Sequence, residues 1–292
     1  MKGIILAGGN NTRLKPLTSA ITKQLLPIYN KPMIYYPLST LMLAGIREIL
    51  IISNPGDIDL LKKLLKNGSH LGINIKYETQ KKAEGIAQAI KIGKKFIDNK
   101  PVTLILGDNL FFGSNIGKNI EKEFLKNKGS TIFAYNVFDP SRYGVVKFNN
   151  KKIPISIVEK PKKFVSSYAV TGLYIYDEKV TDFVKYLKKS KRNELEITDL
   201  NRMYLNEKKL NVHILNRGAA WLDMGTFDSL SNASEFVKTI ETRQGFMISC
   251  PEEIAWRQSW ISDEKLLSLA FNFKNNSYGN YLKKLININD NL

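Results

Sequence analysis

Four short apolar runs, spaced by stretches of helical periodicity, constrain this chain more than any other feature. Residues 3–7, 48–53, 102–107 and 131–137 are predominantly apolar and rich in β-branched residues. Strands covered on both faces have this pattern. Ile86, Ala89, Ile90, Gly93 and Ile97 recur at helical spacing, and Val180, Phe183, Val184 and Leu187 do so again. Strand and helix in alternation predict an α/β fold, a Rossmann-like and mostly parallel sheet flanked by helices. Residues 145–177 read as consecutive strands, so an antiparallel element is expected to make the sheet mixed. From about 228 the pattern is helical, with Tyr278, Tyr281, Leu282 and Leu285 on one face. No linker rich in Gly, Pro or Ser, no internal repeat and no low-complexity tract interrupts the chain. The expected organisation is a single domain, with an α/β core over 1–227 and a helical C-terminal extension over 228–292 packed on it.

In open α/β sheets ligands sit beyond the carboxyl ends of the strands. The first run empties into a turn where Gly8 and Gly9 let the backbone approach a ligand closely. Arg13 and Lys23 add two fixed positive charges, and N–H groups with cations make a cradle for phosphate oxygens. The pattern is neither GxGxxG nor a P-loop, because Gly-Lys-Ser/Thr is missing. It points to a nucleotide held without those motifs. Asp108 follows the run 102–107, and Asp223 follows Trp221-Leu222. Two carboxylates at the ends of apolar stretches are what an oxygen-ligated Mg²⁺ needs. On spacing alone, a turn or helix-cap role, which describes most aspartates after strands, is the better account of Asp108.

Composition excludes several classes. The 292 residues carry a net charge of +17, but the lysines lie in short scattered runs such as Lys62-Lys63, Lys94-Lys95 and Lys283-Lys284. Solvated helix faces look like this. No aromatic RNA-binding motif, zinc-finger spacing or Arg-rich arm accompanies them, so no nucleic-acid partner is expected. The positive field still favours a triphosphate. No apolar run approaches a membrane span, and no charged region with an apolar segment precedes the first strand, so neither a membrane nor a secretory signal is expected. A single cysteine, Cys250, excludes an internal disulfide and suits the cytoplasm.

LAGG-x-x-TRL-x-PLT (6–18) with KQLLPIYNKPMIYYPL (23–38) resembles the sugar-phosphate nucleotidylyltransferases. The resemblance continues through LGDNLFFG (106–113), RYGVV (142–146), EKP (159–161), VTGLYIYD (170–177), ELEITDLN (194–201), AWLDMGT (220–226) and SCPEEIA (249–255). It covers essentially the whole chain. It implies Mg²⁺-dependent thymidylyl transfer from dTTP to glucose 1-phosphate, giving dTDP-glucose and pyrophosphate. Asp108 and Asp223 would hold the metal. Gly8, Asn11, Thr12, Arg13, Gln24, Gln80, Gly85 and Asp108 would bind the nucleotide, and Asn109, Gly144, Glu159, Lys160 and Val170 the sugar. Arg13, Lys23, Lys160 and Arg192 would be the catalytic cations. The family also implies a homotetramer, and a second site where dTDP-rhamnose inhibits, at Leu43, Phe112, Gly113, Arg217, Ser249, Glu253, Ile254 and Arg257.

The residues suit that chemistry. A sugar-phosphate oxygen is already an anion, so attack on the α-phosphorus needs no general base, and His70 and His213 are expected bystanders. What it needs is relief of repulsion between polyanions and in-line positioning. Arg13 can bind phosphate oxygens bidentately, and Lys23 adds a point charge. Gln24 and Gln80 offer amides able to read a pyrimidine edge. Thymine differs from uracil by one methyl, about 1 kcal/mol in an apolar slot, so some uridylyl transfer is expected. The family turn is usually GGxGTR, and Asn11 replaces its last glycine. Asn tolerates positive φ well, so activity is expected to survive. The alternatives are a relative using UTP or another sugar 1-phosphate, and a non-catalytic sugar-nucleotide sensor. Keeping Arg13, Lys23, Asp108, Lys160 and Asp223 together argues against the sensor.

Overall fold

The computed structural model describes residues 1–9, 12–273 and 276–289. Four parallel strands form one half of a nine-stranded sheet, in the order Asn74–Thr79, Glu48–Ser53, Lys2–Leu6, Val102–Leu106. Tyr168–Tyr176 then pairs antiparallel with Val102–Leu106. Beyond it lie Ser130–Asn136, antiparallel to Tyr168–Tyr176, and Leu210–Ile214, parallel to Ser130–Asn136. The hairpin Gly144–Phe148 with Pro154–Glu159 joins the start of Tyr168–Tyr176 through Ala169 and Val145. The sheet is therefore mixed and mostly parallel, as the sequence predicts. Asn74–Thr79 has no apolar run because it is an edge strand with four of its six positions exposed.

Successive strand residues point to opposite faces, and both faces are covered. Ile5, Ile51 and Ile105 pack with Leu38 and Met42 on one side. Ile4, Leu50 and Leu104 pack with Ile90, Tyr176 and Tyr204 on the other. The helical pattern over 86–97 is realised as two short helices, Gln88–Ile92 and Lys94–Ile97, with Gly93 between them. A Cβ on Gly93 would stand 2.8 Å from Ile4 Cδ1 and 3.0 Å from the Ala89 carbonyl, so a side chain there would crowd the buried Ile4. Glycine in turn costs helix propensity.

From Phe227 onward all described elements are helices. Thr226 and Ser229 form a capping box that starts Phe227–Gln244, and Gly245 at φ 71° ends it. That helix packs on the hairpin Pro27–Ile28/Lys31–Pro32, where Lys31 Nζ meets Glu241 Oε1 at 2.6 Å. Pro251–Arg257, Asp263–Asn272 and Ser277–Asn289 close around Cys250, Leu266 and Leu282. No described helix is long and apolar enough to cross a membrane.

Candidate active site

Two cavities meet where Lys2–Leu6 and Val102–Leu106 end. The larger, about 440 Å³, is lined by Gly8, Gly9, Thr12, Arg13, Lys23, Gln80 and Gly85. The smaller, about 200 Å³, is lined by Gly144, Glu159, Lys160, Val170 and Arg192. Arg13, Asp108, Glu194 and Asp223 border both, so they form one cleft with a shared centre. Asn11 lies outside the described residues.

The two carboxylates are brought together by a short antiparallel pair, Asn109–Phe112 with Ala220–Asp223. Met224 N–H also donates to the Asp108 carbonyl at 2.9 Å. Asp108 Oδ2 accepts from Lys23 Nζ at 2.5 Å, and Oδ1 accepts from Asn109 Nδ2 at 3.0 Å. Burial alone would raise the Asp108 carboxyl. The Lys23 charge and the two hydrogen bonds outweigh it and hold the group below its ordinary value. Tyr143 Oη donates to Asp223 Oδ1 at 2.8 Å, and Arg142 Nη2 stands 3.4 Å from Oδ2. Burial, with the Asp223 charge beside it, pushes the Tyr143 phenol well up, so it remains a donor.

On the side of the larger cavity, a Cβ on Gly8 would lie 2.0 Å from Gln80 Oε1, so a side chain there must displace that amide. Gln80 is buried, with Nε2 donating to Gln88 at 2.7 Å. Gly85 sits at φ 100° against the Leu195 backbone, whose N–H donates to the Glu84 carbonyl. Glycine alone combines that conformation with that approach. Gln24 lines neither cavity. It is buried beneath Gly107, and its side-chain oxygen accepts from Thr22 Oγ1 at 2.5 Å.

On the other side, hairpin register puts Glu159 opposite Gly144, and Thr198 Oγ1 donates to Glu159 Oε2 at 2.6 Å. Lys160 takes φ 43°, fixed by its N–H on the Tyr143 carbonyl at 2.9 Å. A non-glycine residue at positive φ costs about 1 kcal/mol and tends to occur at functional sites. Arg192 is held by Glu196 at 2.7 Å, with Glu159 and Glu194 at 3.3 and 3.6 Å. Asn109 is buried: its Oδ1 accepts from Trp221 Nε1 at 2.6 Å and from Gly172 N–H at 3.1 Å. It also lines the smaller cavity, so it joins the carboxylates and the sheet at the wall of the cleft. His70 and His213 border neither cavity.

A nucleotidyl transferase family model matches residues 2–240. This chain belongs to that family. Glucose-1-phosphate thymidylyltransferase of Neisseria meningitidis is 54% identical over 286 residues, 98% of this chain and 99% of that one. The Mycobacterium tuberculosis enzyme of the same name is 52% identical, over 99% of this chain and 100% of its own. A solved structure of a protein assigned as glucose-1-phosphate thymidylyltransferase in Bacillus anthracis, in complex with sucrose, superposes with a TM-score of 0.75 at 41% identity. It covers 81% of this chain and 94% of that one. The chain is accordingly a nucleotidyltransferase.

The nucleotidyl transferase cleft holds residues that sequence reasoning passed over. Beside the cleft, Asn54 clamps the Gly8-Gly9 turn, its Nδ2 donating to the Gly9 carbonyl at 3.0 Å and its Oδ1 accepting from Gly9 N–H at 3.3 Å. Trp221, Thr198 and Glu196 orient Asn109, Glu159 and Arg192. All three lie inside stretches that carry the family resemblance, which was the available clue. Asn54 lies outside them.

Proposed function

We propose that this chain transfers a thymidylyl group from dTTP to α-D-glucose 1-phosphate, releasing pyrophosphate and dTDP-glucose, the opening step of dTDP-sugar synthesis. The observation that carries this reading is the pair of cavities joined at Arg13, Asp108 and Asp223. The larger suits a nucleotide and the smaller a sugar phosphate, so the acceptor oxygen and the α-phosphorus meet at the shared wall. The full-length likeness to named thymidylyltransferases supports dTTP as the donor.

An acceptor phosphate oxygen forms the new bond to the α-phosphorus as the bond to the pyrophosphate oxygen breaks. Lys160 and Arg192 hold the acceptor phosphate, and Glu159 accepts from sugar hydroxyls. Arg13 offers its planar fork to the triphosphate. Lys23 shifts its charge from Asp108 towards the α-phosphate. Among the described residues no cluster of three His, Cys, Asp or Glu is placed to cage a metal. Asp108 and Asp223 nevertheless fit Mg²⁺. Both are oxygen donors, each already attracts a protein cation, and Mg²⁺ is commonly held by one or two carboxylates plus water and phosphate. When bound there, Mg²⁺ would neutralise phosphate charge. A reducing cytoplasm suits the buried thiol of Cys250.

A second reading concerns regulation. All the residues expected at an inhibitory site except Arg217 line one further cavity of about 400 Å³, between Leu43, Phe112 and Ile254. This supports a dTDP-rhamnose site there. Saturation binding of dTDP-rhamnose that competes fully with dTTP at a single site would remove it.

The function is tested by pyrophosphate release with Mg²⁺ and glucose 1-phosphate, comparing dTTP with UTP, CTP, ATP and GTP. Release is expected to be fastest with dTTP and slower with UTP. Asp223→Asn is expected to lose about a hundredfold or more. Silence with every nucleotide despite dTTP binding would move the assignment to another sugar phosphate, then to a sensor.

A further inference from the structure

We infer that Arg142 is an exchangeable counter-ion of Asp223: it neutralises the carboxylate in the metal-free enzyme and moves onto the acceptor phosphate when a divalent cation takes its place. This rests on the reading of Asp108 and Asp223 as metal ligands.

Each candidate metal ligand already has a counter-ion. Lys23 sits on Asp108 and Arg142 on Asp223, one monocation per carboxylate. A dication held by these carboxylates would repel both side chains and leave them free for the two polyanionic substrates. Lys23 borders the nucleotide cavity. Arg142 borders the acceptor cavity, beside Lys160 and Arg192. Each side of the reaction thus receives one released cation.

Arg142 is built to let go. Its contact with Asp223 is long, 3.4 Å, while Tyr143 Oη holds the other oxygen at 2.8 Å. Asp223 therefore stays oriented when the guanidinium leaves. Arg192, by contrast, is pinned by Glu196 at 2.7 and 3.1 Å. The Arg142 side chain is 46% exposed, and its guanidinium lies 5.8 Å from the centre of the Tyr143 ring, a surface it can slide across. Ser141 N–H on Asp139 and Tyr143 N–H on the Pro140 carbonyl fix the loop on either side. A guanidinium also matches a phosphate better than a single carboxylate oxygen, because it can bind two oxygens at once.

The experiment is a Mn²⁺ titration of the nucleotide-free enzyme followed by electron paramagnetic resonance, with calorimetry of glucose 1-phosphate binding in Mg²⁺. Arg142→Gln removes the competing cation. It is expected to bind Mn²⁺ about two- to fivefold tighter, the scale of a partly exposed ion pair. The same variant is expected to bind glucose 1-phosphate about tenfold more weakly, having lost a charge-assisted hydrogen bond. Arg142→Lys should lie between it and the parent in both. Unchanged Mn²⁺ affinity in Arg142→Gln, with affinity lost in Asp223→Asn, would overturn the Arg142 assignment alone. Unchanged Mn²⁺ affinity in both variants would overturn the metal reading and this inference with it. Tighter Mn²⁺ binding without weaker sugar-phosphate binding would show that the guanidinium does not reach the acceptor.

Discussion

Asp223 is one residue removed from standing opposite Asp108: it faces Asn109 across the antiparallel pair, and Asn109 directly follows Asp108. One strand register therefore sets the spacing of the two candidate metal ligands. The same Asn109 bonds Asp108 through Nδ2 and the Asp223-bearing strand, at Trp221, through Oδ1. A residue expected to touch sugar, and lining the smaller cavity, also ties the two carboxylates together.

Replacing Asn109 with Leu keeps approximate volume and removes both functions. Trp221 Nε1–H and Gly172 N–H lose their acceptor in a buried setting. The expected cost is about 2–4 kcal/mol in urea unfolding, with kcat falling further than in a surface variant of equal stability.

Gly8→Ala tests the phosphate turn. A Cβ at 2.0 Å from Gln80 Oε1 must displace that amide, which lines the nucleotide cavity. Steady-state kinetics should show kcat/KM for dTTP down about a hundredfold, the cost of roughly 1 Å of misplacement. Pyrophosphorolysis, which uses the same pocket, should fall in parallel.

Lys31 and Glu241 form an ion pair with side chains only 1% and 7% exposed, joining the Pro27–Ile28/Lys31–Pro32 hairpin to the long helix Phe227–Gln244. Lys31→Ala leaves Glu241 buried without its cation, and about 3–5 kcal/mol of stability should be lost in denaturant titration. Lys31→Met with Glu241→Gln should recover part of it, since the Gln carbonyl can still accept from Ile248 N–H.

Glu252 gives a pH dependence of defined sign. Burial pushes its carboxyl above the ordinary value of 4.5, despite the donated hydrogen bond from Tyr278 Oη. A raised value means the folded chain binds this proton more tightly than the unfolded chain. Its contribution to stability is therefore greatest in acid, and it declines as pH rises from the ordinary value through the raised one. Glu252→Gln should remove that decline. Thermal unfolding across this window should show the variant gaining on the parent as pH rises.

The sequence alone determined the buried strands of the sheet and the glycine turn that follows the first of them. Strands buried on both faces must be apolar along their whole length, so Lys2–Leu6, Glu48–Ser53 and Val102–Leu106 announce themselves, with Gly8 and Asp108 at their ends. The face of the last helix was legible for the same reason, since Tyr278, Leu282 and Leu285 keep helical spacing and are buried. Only tertiary structure decided what depends on pairing distant residues. No local pattern says that Ala220–Asp223 will pair with Asn109–Phe112, that Arg142 will reach Asp223, or that Gln24 will lie beneath the cleft floor. Periodicity reports how much of each residue is buried. It carries nothing about which partner does the burying, and an active site is made of partners.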